Sequence, residues 1–282
     1  YFIPNWGIYM IMMLFFASCS EQQVMEEMAS STKLTEQKRM TVSPQDSVMS
    51  LLNHARWGDG SAYLKLADCY RDGFGVKKDF FGMIMMAEIA EKRGGIQKAD
   101  DYINNLPDGH EYKTLLLLMD EYKSYIQENA DSVMQVLREK RSPEAQTLLG
   151  FIMMDQGDTI TAKKLIDEAA NQGCSLAKLL LTVPDWKGNV RADATKLVII
   201  ADQMPLAYYL LGNLYYEPDE KGETNKQLAM EYYMKAEEHA VLGRRGALRV
   251  LDYYKNGGDF QLTEDDVKRL ELIVQQKSVE TE

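Results

Sequence analysis

The feature that most constrains this chain is a spacing that returns. An alanine is followed four residues later by a leucine, then directly by a small residue, and three residues further on by a bulky one. Ala62, Leu66, Ala67 and Tyr70 fit it, as do Ala145, Leu149, Gly150 and Met153, and Ala207, Leu211, Gly212 and Tyr215. Ala177 with Leu181, Ala247 with Leu251 and Ala99 with Ile103 fit in part. Steps of three and four put these side chains on one face of a helix, and the small residue marks where a second helix comes close. A second spacing follows each full match, a capping residue and then positions four, seven and eleven later. Asp79 leads to Met83, Met86 and Ala90, Asp158 to Ala162, Leu165 and Ala169, and Asn225 to Ala229, Tyr232 and Ala236. Asp and Asn are helix starters because their side chains accept a backbone N–H. Ala194, Leu197 and Ala201 repeat the later part of the spacing without the cap. Gly94 and Gly173 fall four residues after the last alanine, where glycine ends helices. The unit is an antiparallel pair of helices, and it recurs at the period of short helical arrays.

The punctuation agrees. Pro44, Pro107, Pro143, Pro184, Pro205 and Pro218 all stand between apolar periodic runs, where proline costs a helix nothing. Ser43-Pro44-Gln45-Asp46 reads as a capping serine with proline at the first helical position. No stretch alternates with period two and also carries hairpin turn residues. The expected fold class is all-α.

The run Ala62-Tyr-Leu-Lys-Leu66-Ala67-Asp-Cys-Tyr70-Arg-Asp-Gly73-Phe-Gly75-Val76-Lys-Lys-Asp79 resembles a Sel-one-like repeat, a relative of the tetratricopeptide repeat. The G-x-G-V loop is its most specific part. Gly73 and Gly75 permit backbone angles that other residues resist, and Val76 can tuck the loop onto the helix pair. The resemblance implies a right-handed α-solenoid of antiparallel helix pairs over residues 44–277, with its best units at 60–95, 143–173 and 205–243. The unit at 143–173 has a five-residue step from Met153 to Asp158 and is closer to a plain tetratricopeptide unit. The unit at 205–243 carries a longer acidic loop from Glu217 to Gly222, and the segment 96–140 departs from the pattern. In repeats of this kind the first helix lines the concave groove. Carried over residue by residue, the groove positions are Asp68, Arg71 and Asp72, then Phe151 and Met154, then Tyr209, Asn213, Tyr216 and Glu217, and finally Arg249 and Tyr253. Aromatics mixed with Asn and Arg suit recognition of a peptide or protein. The resemblance thus implies a non-enzymatic binding scaffold.

Chemistry is hard to find. The chain has no phosphate-binding glycine loop, nucleophile elbow, H-E-x-x-H or C-x-x-C. His54, His110 and His239 are far apart, and His239 falls late in a helix, where a cation suits the dipole. Glu217, Asp219 and Glu220 read as a solvated turn, because the ordered spacing of a calcium loop is missing. Cys69 and Cys174 read as small buried residues. Met and Tyr, at 17 and 16 residues, read mostly as core filling, with Tyr215 facing the core. Lys77-Lys78 and Arg244-Arg245 read as solvated. No cofactor or metal is expected. The rival reading is an enzyme or enzyme regulator of the envelope with its site in the divergent segment 96–140.

The start of the chain carries an address. Residues 7–18 are apolar throughout, the length of a secretory core and too short for a membrane-spanning helix. The run ends in Phe16-Ala17-Ser18-Cys19, which resembles a bacterial lipobox and implies lipid on the Cys19 thiol. Residues 1–18 then form the signal peptide, 19–43 a flexible polar tether, and 278–282 a polar tail. Glu21, Glu26 and Glu27 resemble the surface-export signals of some lipoproteins. The expectation is a bacterial membrane lipoprotein, periplasmic or surface-exposed, with the outer membrane favoured and the membrane reached through the lipid alone. With 32 Lys+Arg against 43 Asp+Glu, the net charge of -11 argues against nucleic acid, which needs a basic face. The partner is expected to be a protein or peptide.

Overall fold

The computed structural model describes residues 43–94, 99–107, 109–124, 130–182, 192–219 and 221–275. In chain order the helices are α1 (Pro44–Arg56), α2 (Gly60–Asp72), α3 (Phe80–Ile89), α4 (Ala99–Asn104), α5 (Glu111–Ser124), α6 (Ala130–Lys140), α7 (Pro143–Asp155), α8 (Thr159–Asn171), α9 (Ser175–Leu180), α10 (Ala194–Ala201), α11 (Leu206–Tyr216), α12 (Lys226–Glu238), α13 (Arg244–Lys255) and α14 (Glu264–Gln275). The described residues contain no strand. The chain is an all-α helical repeat.

The capping residues are where the spacing puts them. The side chains of Asp79, Asp158 and Asn225 accept from the backbone N–H groups of Phe81, Thr161 and Leu228. Ser43 accepts from Asp46 N–H and donates its hydroxyl to the Asp46 carboxylate, closing the first turn of α1 from both sides. Ser142-Pro143 repeats this start at α7, with Ser142 accepting from Ala145 N–H. Helices end as glycine dictates at Gly173, whose φ is 96°. The end near Gly94 differs from expectation, because α3 widens into a π turn over Ala90–Gly94 before it stops.

Helices pair as α2 with α3, α7 with α8, and α11 with α12. The small residues explain how closely. A Cβ on Gly150 would stand 2.8 Å from Ile166 Cγ1, and one on Gly212 only 2.4 Å from Tyr233 Cδ1. In the first pair the glycine sits on the second helix, with Gly82 lying under the Tyr70 ring. Tyr63, Leu66, Met83, Met86, Ile152, Ile166, Leu197 and Tyr233 fill the core and are essentially inaccessible. Cys69 and Cys174 are buried free thiols, and Thr147 Oγ1 donates to Cys174 Sγ at 3.3 Å. The divergent segment carries α4 to α6. Tyr112 packs against Phe80 with ring centres 4.9 Å apart, and the Tyr102 hydroxyl donates to Asp68 Oδ1 at 2.9 Å.

In a simple helical array each unit touches only its neighbours. Here the first three helices also reach far along the chain. Arg56 donates to the Glu237 carboxylate from Nε at 3.1 Å and from Nη2 at 2.7 Å. The Tyr63 hydroxyl donates to the Ala240 carbonyl at 3.3 Å. Arg93 donates to the same carbonyl at 3.3 Å and to the Leu242 carbonyl. Ser175 Oγ donates to Asp79 at 2.6 Å. The basic pairs Lys77-Lys78 and Arg244-Arg245 are exposed, as expected, and three of the four also reach a partner. Lys77 Nζ donates to the Gly173 carbonyl at 3.1 Å, Lys78 Nζ stands 5.2 Å from the centre of the Tyr112 ring, and Arg244 Nε donates to the Val274 carbonyl at 3.2 Å. These long side chains stay exposed and still carry a charge to an acceptor far along the chain, which a one-dimensional pattern does not display.

Candidate interaction surface

The groove positions of α11 and α13 meet in one cluster. Tyr209, Asn213 and Tyr216 are spaced by four and three residues, so they form one stripe of α11. Gly212, on the adjoining face, lets Tyr233 of α12 lie flat against the helix. The Tyr233 hydroxyl then reaches the stripe and donates to Asn213 Oδ1 at 2.9 Å. Arg249 enters from α13. Its Nη1 donates to Asn213 Oδ1 at 3.0 Å and to the Tyr233 hydroxyl at 2.8 Å, and its Nη2 donates to the Glu217 carboxylate. Tyr209 lies 6.0 Å from Tyr233 between ring centres and passes close to Gly246, which has no side chain to exclude it. Burial pushes the Tyr233 phenol up to about 12, so it keeps its proton and both donates and accepts. The result is a cross-linked surface in which first helices of successive pairs share one arginine. Glu217, 56% exposed, faces outward, while Arg249, at 12%, is covered.

Asp68 and Arg71 form a separate cluster on α2. Arg71 donates to Asp72 from Nε at 2.8 Å and from Nη2 at 2.6 Å, and its Nη1 stands 2.8 Å from Asp68. Burial and the bond to Asp68 push the Tyr102 phenol far above its ordinary value, so it serves as a fixed donor. Phe151 and Tyr253 are half-buried at the edge of the core. Tyr253 rests against Gly258.

Three expectations are corrected. Met154, read as groove-facing, is buried among the core residues. Tyr215, read as core-facing, is only half-buried and stacks on Tyr232 with ring centres 5.7 Å apart and planes 10° apart. The row continues from Tyr232 to Tyr208 at 6.4 Å and from Tyr208 to His239 at 5.7 Å, on the flank of α11 away from Asn213. His239 does not serve as a dipole cation, because burial lowers its pKa and favours the neutral ring. The residue that sequence reasoning missed at the site is Tyr233, read as core alone. Its ring is core, but its hydroxyl is the hub. An arginine within the apolar periodicity of α13 is the signal that a buried polar partner must exist.

The acidic loop is closed on itself. Asp219 accepts from the N–H groups of Lys221 at 2.9 Å and Glu223 at 2.8 Å, and Glu217 is taken by Arg249. Glu220 and Cys19 lie outside the described residues. Among the described residues no group of three or more His, Cys, Asp or Glu side chains is placed to hold a metal ion. No helix among them is long and apolar enough to cross a membrane.

No family model and no curated protein matches the chain. Solved structures are similar to it, among them the following two. A protective antigen of uropathogenic Escherichia coli strains displaying an SLR fold is 17% identical over 81% of this chain, with a TM-score of 0.39, and the chain spans 55% of that protein. A Sel1 repeat protein from Oxalobacter formigenes is 17% identical over 86% of this chain and 94% of its own, with a TM-score of 0.41.

Proposed function

We propose that this chain is a non-enzymatic scaffold that binds a protein or peptide, held at a bacterial membrane by lipid on Cys19. The observation that carries the reading is the cluster of Tyr209, Asn213, Tyr216, Glu217 and Arg249. First helices from two successive pairs present it on one face, and its hydrogen bonds fix the rotamers in advance. A rigid surface of aromatic, amide and charged groups loses little entropy when a partner docks. Binding is then spread along the first helices, with Asp68, Arg71, Phe151 and Tyr253 as further contact positions. The address rests on the apolar run before Cys19 and the acidic tether after it. On this reading the protein is a periplasmic or surface-exposed lipoprotein, with the outer membrane favoured.

The test has two arms. Detergent-solubilised membranes carrying the wild-type chain are compared with membranes carrying Tyr216→Ala by affinity capture and mass spectrometry. A partner held by wild type and lost by a folded Tyr216→Ala supports the groove, and an identical set of captured proteins refutes it. Cys19→Ser is expected to move the protein out of the membrane fraction. Mass spectrometry of an unmodified Cys19 in the mature chain refutes the lipid.

A further inference from the structure

The start of α5 is unlike the other helix starts. The chain turns at Gly109, whose φ is 79°, and His110 stands directly before Glu111, where Ser, Thr, Asp or Asn usually caps a helix. Its imidazole takes that role, with Nδ1 accepting from the Tyr112 backbone N–H at 3.2 Å. A ring nitrogen that accepts carries no proton, so the ring is neutral with its hydrogen on Nε2. The ring is half-buried and meets the Tyr112 ring edge-on, with centres 5.4 Å apart. The turn that it caps is a junction. Tyr112 packs on Phe80 of α3, and Lys113 Nζ donates to the carbonyls of Asn104 at 2.9 Å and Leu106 at 3.1 Å, at the end of α4.

We propose that His110 is a proton-operated cap, which closes the first turn of α5 when neutral and, when protonated, gives up the Tyr112 N–H and turns toward Asp72 at the end of α2. A protonated imidazole has two donors and no acceptor left. Its charge would also stand at the partly positive N-terminus of α5, whereas the C-terminus of α2 is partly negative and favours a cation. The charged groups facing the ring are Lys78 before α3, Arg71 and Asp72 on α2, and Glu111 on α5. Burial of the ring, together with Lys78 and Arg71, outweighs the two carboxylates and holds its pKa below the ordinary histidine value. The cap is therefore intact above about pH 6.5 and is lost as pH falls through the lower folded value. An imidazolium then competes with Arg71 for the Asp72 carboxylate, which is 55% exposed. The bond from Thr114 N–H to the His110 carbonyl at 3.1 Å does not depend on the ring, so the opening is confined to the first turn and the end of α4 tied to it. This holds whether or not the Tyr216 face binds a partner.

NMR on the full chain tests this. In wild type the His110 ring is expected to show a bare Nδ1 near neutral pH and a titration midpoint below about 6.5. Amide exchange at Tyr112, corrected for the intrinsic effect of pH, is expected to rise about fivefold as the ring protonates, the factor that a lost helix cap is worth. His110→Asn keeps a capping oxygen that does not titrate, and exchange should stay low throughout. His110→Ala has no cap, and exchange should be fast throughout. Asp72→Asn removes the receiving carboxylate and should lower the His110 midpoint. A proton on Nδ1 near neutral pH overturns the proposal, as does wild-type exchange that stays flat while the ring titrates. An equal rise in His110→Asn also overturns it, because the titrating group then lies elsewhere. An unmoved midpoint in Asp72→Asn overturns the turn toward α2. The wild-type readings need no substitution, so they decide the matter even if a variant folds poorly.

Discussion

The guanidinium carbon of Arg249 sits 4.1 Å from the centre of the Tyr216 ring, while the same guanidinium is bonded to Asn213, Tyr233 and Glu217. Lys226 Nζ also stands over the Tyr216 ring, 5.6 Å from its centre. Tyr216 therefore packs over a polar network and is held in place before any partner docks. Tyr216→Ala is expected to lower stability by about 1–2 kcal/mol through the lost cation–π contact. Tyr233→Phe, which keeps the ring and removes the hub hydroxyl, is expected to cost about 1–2 kcal/mol. Denaturant titration checks both. A Tyr233→Phe chain as stable as wild type would show that the network does not hold α13 to α11.

A pair of glycines separates backbone strain from collision. Gly73 and Gly75 both have positive φ, at 75° and 69°. A Cβ on Gly73 would find its nearest neighbour at 3.4 Å, whereas one on Gly75 would stand 2.4 Å from the Pro44 carbonyl oxygen and 2.8 Å from Val48 Cγ2. Gly73→Ala pays the strain alone and is expected to cost about 1–2 kcal/mol. Gly75→Val adds the push against α1 and is expected to exceed about 3 kcal/mol. Equal melting temperatures for the two variants would mean that the loop moves away from α1 freely.

How much of this was legible in the sequence follows from the range of each interaction. Asp79, Asp158 and Asn225 announce helix starts because capping is local, within three residues. Gly150 and Gly212 announce close helix pairs because a missing Cβ is needed wherever Ile166 or Tyr233 must approach. Tyr215 and Met154 were misplaced because one residue turns a helix face by about 100°, so a position on the flank of a stripe is decided by the neighbouring helix. The docking of Arg56, Lys77 and Arg93 could not be read at all. Their acceptors are carbonyls and one carboxylate that lie 96 or more residues away, and a carbonyl has no sequence identity.

Glu237 holds two arginines while itself only 1% exposed, accepting from Arg56 and from Arg269 Nε at 2.8 Å. Arg269 also pairs with Asp266 and lies over the Trp57 ring. Removing one member of a buried ionic group leaves the others uncompensated. Glu237→Ala is expected to cost about 3–5 kcal/mol. The joint replacement Arg56→Met, Glu237→Met, Arg269→Leu removes the charges together and is expected to cost less than the single change. Denaturation midpoints for the two proteins decide it, and a triple variant weaker than Glu237→Ala would contradict the argument.

The last prediction concerns pH. Burial pushes the Asp79 carboxyl above the ordinary carboxylate range, against the opposing hydrogen bonds from Ser175 and the N–H groups of Phe81 and Gly82 and the charge of Lys77. Glu144 is raised as well, by its own burial. A carboxyl whose folded value lies above its unfolded value favours the folded state when protonated. Its contribution to stability is therefore present in acid, below the unfolded value, and is lost as pH rises through the folded value. Asp79→Asn keeps the capping oxygen for Phe81 N–H and removes the charge. Relative to wild type, Asp79→Asn should be most stable at neutral pH and should lose that advantage as the pH falls toward the ordinary aspartate value near 4. Thermal melts of both proteins across pH 4 to 7 measure the difference directly. An advantage that grows in acid would mean that Asp79 is held as a stabilised anion between α3 and α9, with the two helix N-termini outweighing its burial.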